Sequence, residues 1–388
     1  MRAVSPVHHR ARFRQGGHRG SGAASATGST VSSSRLSALA LNRLMREERG
    51  ATAVMVALLL TALFGFTAIA VDVGDVIQER RELQNGADAA ALAVAKDCTT
   101  NTTCGSATAT ADTYADQNAA DGQSTIDEVC GTGPGLVGCA GPPTVPSGAT
   151  GYVRVRTSTN DPDSDDPSQI EHRFAPVLSD AFIGKTVHAS AVAAWGSPGS
   201  ADVLPLAMSV CEFTEATGGG TTFATPTGGT PPYSGPQEVI KFHGDKGTPT
   251  CPEGPAGKPV PGGWGYLVLA GGCSVSVDAG GWTAGETGND PPKSPCDPSM
   301  FLNKTVLVPI FDDVVKTGSN ASFHIKGFAA FYITGFRLGG SGSSWTINPP
   351  AGCSSSERCI GGWFVKFVAV GDTFGGPNMG AVIVKMIG

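Results

Sequence analysis

Apolar and polar positions divide this chain into three regimes. From Ala51 to Val71 a run of 21 residues (ATAVMVALLLTALFGFTAIAV) carries no charge and no proline. At about 1.5 Å per residue a helix of that length reaches roughly 30 Å, the thickness of a bilayer's hydrocarbon core. The run predicts a membrane-spanning helix whose lipid-facing anchor residues include Ala51, Leu58, Leu59, Leu60, Leu63, Phe64, Phe66, Ile69 and Val71. From Asp72 to Lys96 the pattern changes. Val73, Val76, Ile77, Leu83, Ala87, Ala90, Ala91 and Val94 recur at steps of three and four, with Glu79, Arg81, Glu82, Asn85 and Asp88 opposite. That is one stripe of an amphipathic helix. Arg49 to Lys96 therefore reads as nearly one continuous helix, half in lipid and half a stem. Beyond it, short alternating segments separated by Gly, Pro and Ser take over.

The stem carries the helix-contact candidates Asp72, Gly74, Leu83, Gly86, Ala87, Ala90, Ala91 and Val94. Leu83 and Val94 are expected to pack on the chain's own globular part. The narrow alanine face buries little area but permits a close approach, so self-association with a similar helix is a second expectation.

Residues 98–195 read as a small α+β domain. Tyr152-Val153-Arg154-Val155-Arg156 alternates as a half-exposed strand. Val187, Ala189, Ala191, Ala193 and Trp195 share one face of another, and Phe174 to Phe182 reads as a short helix. Residues 196–388 read as a β-rich, sandwich-like domain without helices. Its strand-like runs are Gly265–Ala270, Lys304–Phe311, Ser322–Phe336, Trp363–Val370 and Gly380–Ile387, with loops at Ala216–Gly235 and Gly244–Gly263. The fold class is thus α+β: a single N-terminal transmembrane helix with a long amphipathic extension, a small mixed domain, and a β-rich disulfide-bearing domain. The expected boundaries are 1–48, 49–97, 98–195 and 196–388.

Charge adds an orientation. The first 50 residues hold nine Arg and two acids, a balance of +7, whereas the remainder carries −13 and all ten cysteines. Positive flanks stay in the cytoplasm, and disulfides persist in oxidising compartments. Both place the N-terminus inside and the C-terminal part outside. The segment 1–48, rich in Ser, Gly, Ala and Arg, reads as disordered, and Met45 is an alternative start. Ala68-Ile69-Ala70 could be a signal-peptidase site, but the apolar run is longer than the usual h-region, which favours an uncleaved anchor. Cys98 with Cys104, Cys130 with Cys139, and Cys353 with Cys359 are the candidate local disulfides, each flanking a short polar or glycine-rich turn.

One combined motif carries a resemblance. Glu48-Arg49-Gly50-Ala51, the apolar run, Val71-Asp72-Val73-Gly74, Arg80-Arg81 and Leu83-Gln84-Asn85-Gly86-Ala87-Asp88-Ala89-Ala90-Ala91-Leu92-Ala93 resemble the N-terminal segment of TadE/TadG-like proteins of bacterial Flp (Tad) pilus-assembly systems. The resemblance covers about 50 residues, with a looser likeness at Val187–Trp195. It implies a single-pass membrane protein with an exported domain, accessory to a thin pilus, whose partners are membrane lipid and other pilus-assembly proteins. Two family features do not carry over. Cleavage after Gly50 would put Met55, not Glu, at the fifth position of the product, and no Asp-x-Ser-x-Ser metal motif is present.

Catalytic patterns are absent from the sequence: no G-x-S-x-G, H-E-x-x-H, P-loop or paired C-x-x-C. No cofactor or metal is expected, and the chain is read as a structural protein rather than an enzyme. His172, His188, His243 and His324 are widely spaced. Asp161-Pro162-Asp163-Ser164-Asp165-Asp166 has acids at alternate positions but lacks the glycine and the final Glu of an EF-hand loop, so a solvated loop is expected. Asp312 and Asp313 follow an apolar strand and read as a solvated turn, with an anchored hydrolase as the enzymatic alternative. Trp264, Trp282, Trp345 and Trp363 lie near Gly-rich loops, and a glycan-binding adhesin is the binding alternative. Lipid accounts for the basic arm without nucleic acid.

Overall fold

The computed structural model describes residues 35–101, 103–177, 183–227, 230–242, 248, 250–255, 257–269, 273–286, 296–315, 321–338, 343–347, 349–350, 352–353, 357–371 and 373–387. The segment 1–34, and with it most of the basic arm, lies outside the described residues, as do His243 and part of the loop at Gly244–Gly263. Two units, Met1–Phe66 and Thr67–Gly388, are described separately.

Helix α1 spans Arg35–Thr100, with Gly50, Gly65, Gly74 and Gly86 all inside it. Ala, Leu, Gln, Glu and Arg dominate the stem and favour helix, which offsets the cost of about 1 kcal/mol for each interior glycine. Within the first unit, residues 50–66 are helical and exposed throughout.

The second unit is built on two larger sheets. In chain order the strands of these two sheets are β1 (Thr125–Gly131), β2 (Gly151–Ser158), β3 (His188–Gly196), β4 (Leu206–Ser209), β5 (Glu238–Lys241), β6 (Trp264–Tyr266), β7 (Trp282–Ala284), β8 (Lys304–Val315), β9 (Ser322–Arg337), β10 (Ser343–Trp345), β11 (Cys359–Val365), β12 (Phe367–Ala369) and β13 (Ala381–Met386). The first sheet has the order β1-β2-β3-β13-β12, and the second β5-β11-β9-β8-β4-β6, with β7 and β10 also paired to β9. Neighbours are antiparallel except β12 with β13 and β8 with β4, which run parallel. Strands β12 and β13 therefore cross the sequence boundary at 195/196 and complete the first sheet, β13 lying against β3.

The alternation read from the sequence has a direct structural meaning. Val153 pairs with Ala193 and Val155 with Ala191, so one face of β2 and β3 is apolar and small. On the other face Arg154 donates to Glu128, 3.1 Å away on β1. The second sheet is held by larger side chains. Trp264, Phe311, Phe328, Phe331 and Met208 are all fully buried, and Phe331 and Phe364 meet edge-on with centroids 4.9 Å apart.

Two local expectations change, and a third falls largely outside the described residues. The stretch from Trp363 to Val370 is two strands, β11 and β12, belonging to different sheets. At Phe174–Phe182 the described residues form a single 3-10 turn, Ala175–Val177; residues 178–182 lie outside the described set. The β-rich part also contains a helix, α3 (Val210–Thr217). Ser209 caps it by accepting from the Cys211 N–H, and Gly218 ends it in the left-handed region at φ 60°. Helix α2 (Ala107–Asp116) packs beside the stem.

Candidate functional site: the membrane helix and its stem

Leu58, Leu59, Leu63, Phe64, Phe66 and Ile69 are each at least half exposed on α1, and Ala51, Leu60 and Val71 are exposed as well. Among the described residues, none buries the most apolar window of this helix. Among the described residues it is the one helix long and apolar enough to cross a membrane. Exposed apolar area costs about 25 cal/mol per Å² in water, so a contiguous sleeve of this kind fits lipid and not solvent.

The stem is the opposite case. Leu83, Ala87, Ala90, Ala91, Val94, Ala95 and Cys98 lie on one stripe and are buried. They form one cluster with Val153 and Val155 of β2, Ala189, Ala191, Ala193 and Trp195 of β3, and Val382 of β13. Alanine meets small residues across the contact, so helix and sheet come close together. Polar ties fix the register: Thr157 Oγ1 donates to the Leu83 carbonyl (3.1 Å), and Gln84 Nε2 to the Ser190 carbonyl (3.2 Å). Gly86 has a different neighbour. A Cβ there would come within 3.2 Å of the Ala115 backbone, so the glycine makes room for α2. Gly74 has open space around it. The alanine face predicted to receive a second helix is thus occupied by the chain's own sheet, and the Gly86 groove by its own α2.

Two disulfides lie near the far end of this packing. Cys98 at the stem's end bonds Cys104, and Cys130 bonds Cys139 beside β1. Gly133 sits against the first bridge; a Cβ there would lie 2.4 Å from Cys104 Sγ and 3.2 Å from the Trp195 ring. The structure also pairs Cys353 with Cys359, as the spacing suggests, together with the more distant Cys211–Cys251 and Cys273–Cys296.

Asp72 has the least expected environment. Only 4% exposed, it follows the last residue of the apolar run. Its carboxylate accepts from the backbone N–H groups of Arg173 (2.9 Å), Phe174 (3.1 Å to Oδ2) and Ala175 (2.6 Å). Burial raises its pKa, but the N–H groups of Ala175, Arg173 and Phe174, with the charge of His172, outweigh it and hold the carboxyl below 3.8. Arg173 Nε lies 3.8 Å from Asp75 one turn further on. Asp72 therefore clasps a loop 101 residues away in sequence to the start of the stem. No sequence signal pairs it with that loop.

The residues considered for chemistry disperse. Asp161, Asp163, Glu171, Asp75, Glu79 and Glu82 line an acidic cleft of about 550 Å³. Burial, and the charges of Asp121, Glu82 and Asp161, raise the Glu79 pKa against a hydrogen bond from Thr159. Among the described residues no three His, Cys, Asp or Glu side chains are placed to hold a metal ion. In the Asp161–Asp166 stretch, Asp161 accepts from the Asp163 N–H, while Ser164 donates to Glu171. Asp312 and Asp313 are not in a solvated turn. They lie within β8 at a register shift, Asp313 is 2% exposed, and Asp312 accepts from His324 Nδ1 at 2.6 Å. The bulge brings Asp312 against His324 of β9 while Asp313 is buried beside Gly254, which a simple strand-end reading could not supply. His188 pairs with Asp127 at 3.2 Å. Trp264 and Trp363 fill the core, Trp345 lies over Gly335 and Gly361, and Trp282 is half exposed beside His324.

Residues 50–97 match the Tad family model, described as Flp pilus-assembly TadE/G-like. No curated protein and no solved structure matches the chain. The matched segment spans the exposed apolar sleeve, Asp72 and the buried stripe of the stem.

Proposed function

We propose that this chain is a membrane-anchored structural component of a Flp (Tad) pilus-assembly or related secretion system. The match at residues 50–97 supports a pilus-related role. The observation that carries the finer reading is the change of solvent along one helix: lipid-fitting and exposed up to Val71, then packed into the first sheet from Leu83. An element so divided transmits the position of a bilayer to a folded body, which is the task of an anchor. Nine Arg before the span and all ten cysteines after it support a cytoplasmic N-terminus and an exported body. The partners in this reading are membrane lipid and other pilus-assembly proteins, with no cofactor and no catalytic step.

Deleting the encoding gene should abolish or sharply reduce Flp filaments, and the full chain should restore them. Normal piliation in the deletion strain would refute the role. A periplasm-type reporter fused after Lys96 should be active; an inactive one would reverse the orientation.

A further inference from the structure

We propose that the turn Arg173–Val177 is a second membrane contact, an apolar foot that Asp72 holds in the lipid headgroup layer. The proposal rests on the anchor reading above and goes beyond it by giving part of the folded body a lipid-binding role.

The apolar run ends at Val71, which places the hydrocarbon boundary there. The headgroup layer beyond it is about 5–7 Å deep on each side, so it holds roughly the next four residues of a helix. Asp72 is the first of these. Its hydrogen bonds to the N–H groups of Arg173, Phe174 and Ala175 are all shorter than 3.3 Å, so that turn lies at the same depth. The next turn is tied on through the Val177 N–H, which donates to the Phe174 carbonyl at 3.1 Å.

The side chains presented there suit lipid and not water. Val177 is 86% exposed and Phe174 45%. Val73, next to Asp72 on the stem, is about half exposed. Aromatic and aliphatic side chains are enriched where they enter the headgroup–acyl boundary. Arg173, with its side chain 78% exposed, lies 3.8 Å from Asp75 and offsets that acid's charge, so the pair brings no net charge to the layer. The clasp explains the burial of an acid directly after an apolar run. A carboxylate that accepts three backbone N–H groups is already satisfied and does not need bulk water at that depth.

The test uses the full chain reconstituted in phosphatidylcholine–phosphatidylglycerol vesicles. Phe174→Trp and Val177→Trp are made separately, with Val137→Trp as the control. Val137 is 76% exposed in the Cys130–Cys139 loop, near the far end of the stem. That is roughly 40 Å from Asp72 along the helix axis. Emission above wild type should fall about twofold with lipids brominated in the upper acyl chain for the two foot variants, and stay constant for the control. Asp72→Ala should abolish this quenching at Val177→Trp while the chain stays in the membrane through alkaline carbonate. Quenching of the foot variants by aqueous acrylamide alone, as for the control, would overturn the foot while leaving the anchor intact. Protection from both quenchers would also overturn it, in favour of a protein or a second copy as occupant. Extraction of the intact chain by carbonate would instead refute the anchor reading itself.

Discussion

Glu212 lies in the first turn of α3, 6% exposed, and offers a test of the packing in the β-rich part. Burial raises its pKa from 4.5 to about 7, against the lowering effect of its own backbone, the Gly263 N–H and Ser209; the charge of Glu215 adds to the rise. One carboxylate oxygen accepts from Gly263, and the other has no hydrogen-bond partner. The sign follows from proton counting. Below pH 4.5 both folded and unfolded chains hold the proton, and Glu212 makes no difference. As pH rises to about 7 the folded state binds more protons than the unfolded one, so stability falls; above it the full penalty stands. At about 1.4 kcal/mol per tenfold change, that penalty is about 3 kcal/mol. Glu212→Gln keeps an acceptor for Gly263 and cannot ionise. Any fixed cost of its amide is present at every pH, so the discriminating quantity is the change between acid and alkaline conditions. For a unit of this size, Thr67–Gly388, the variant should lose about 4–5 °C less in Tm than wild type between pH 4.5 and pH 8. The assay is thermal unfolding of the full chain in detergent micelles, followed by tryptophan emission; the fully buried Trp264 adjoins Gly263. Titrations shared by both proteins cancel. Parallel Tm–pH curves would show that Glu212 ionises freely in the fold and would refute the burial argument.

Three further outcomes follow from the stem. Ala91→Leu inserts volume between α1 and the first sheet, where Ala91 is fully buried, and should destabilise the second unit by about 1–3 kcal/mol in the same unfolding assay. A cysteine at Ala87 should resist a soluble maleimide and form no intermolecular cross-link in the folded chain; ready labelling would show that the alanine face is open to partners. Gly133→Ala should lower stability by about 1–3 kcal/mol, because its methyl would collide with the Cys98–Cys104 bridge and Trp195; an unchanged Tm would mean the loop shifts freely.

The sequence discloses most of what depends on periodicity and little of what depends on long-range pairing. The stripe Leu83–Val94 and the alternation at Val153/Val155 and Ala189–Trp195 place three surfaces that do meet in one cluster. Close cysteine pairs were legible because a six- or nine-residue separation leaves few other partners. Helix α3 was legible in principle. Ser209 with Glu212 three residues on, and Gly218 beyond the end, form a start-and-stop signature, but eight residues amid strand-like sequence give too short a period to weigh against it. The pairing of β13 with β3 joins residues nearly 190 apart, and no local pattern announces which sheet an apolar strand will enter. The same limit hides the Asp72 clasp and the register shift at Asp312 within β8.

Small residues along a helix license a close approach without specifying what approaches. Ala87, Ala90 and Ala91 allow a neighbouring helix or a sheet of small side chains equally well, and Gly86 admits α2 at the same height. Periodicity therefore identified the buried face, while the identity of its occupant depended on β2 and β3, whose own small face is complementary. That occupancy bears on assembly. With Ala87, Ala90 and Ala91 all fully buried, the alanine stripe offers no surface to a partner, whereas the sleeve Ala51–Val71 stays exposed. The family match at residues 50–97 thus spans two unlike surfaces of one helix, the exposed apolar sleeve and the buried stripe that docks on the chain's own sheet.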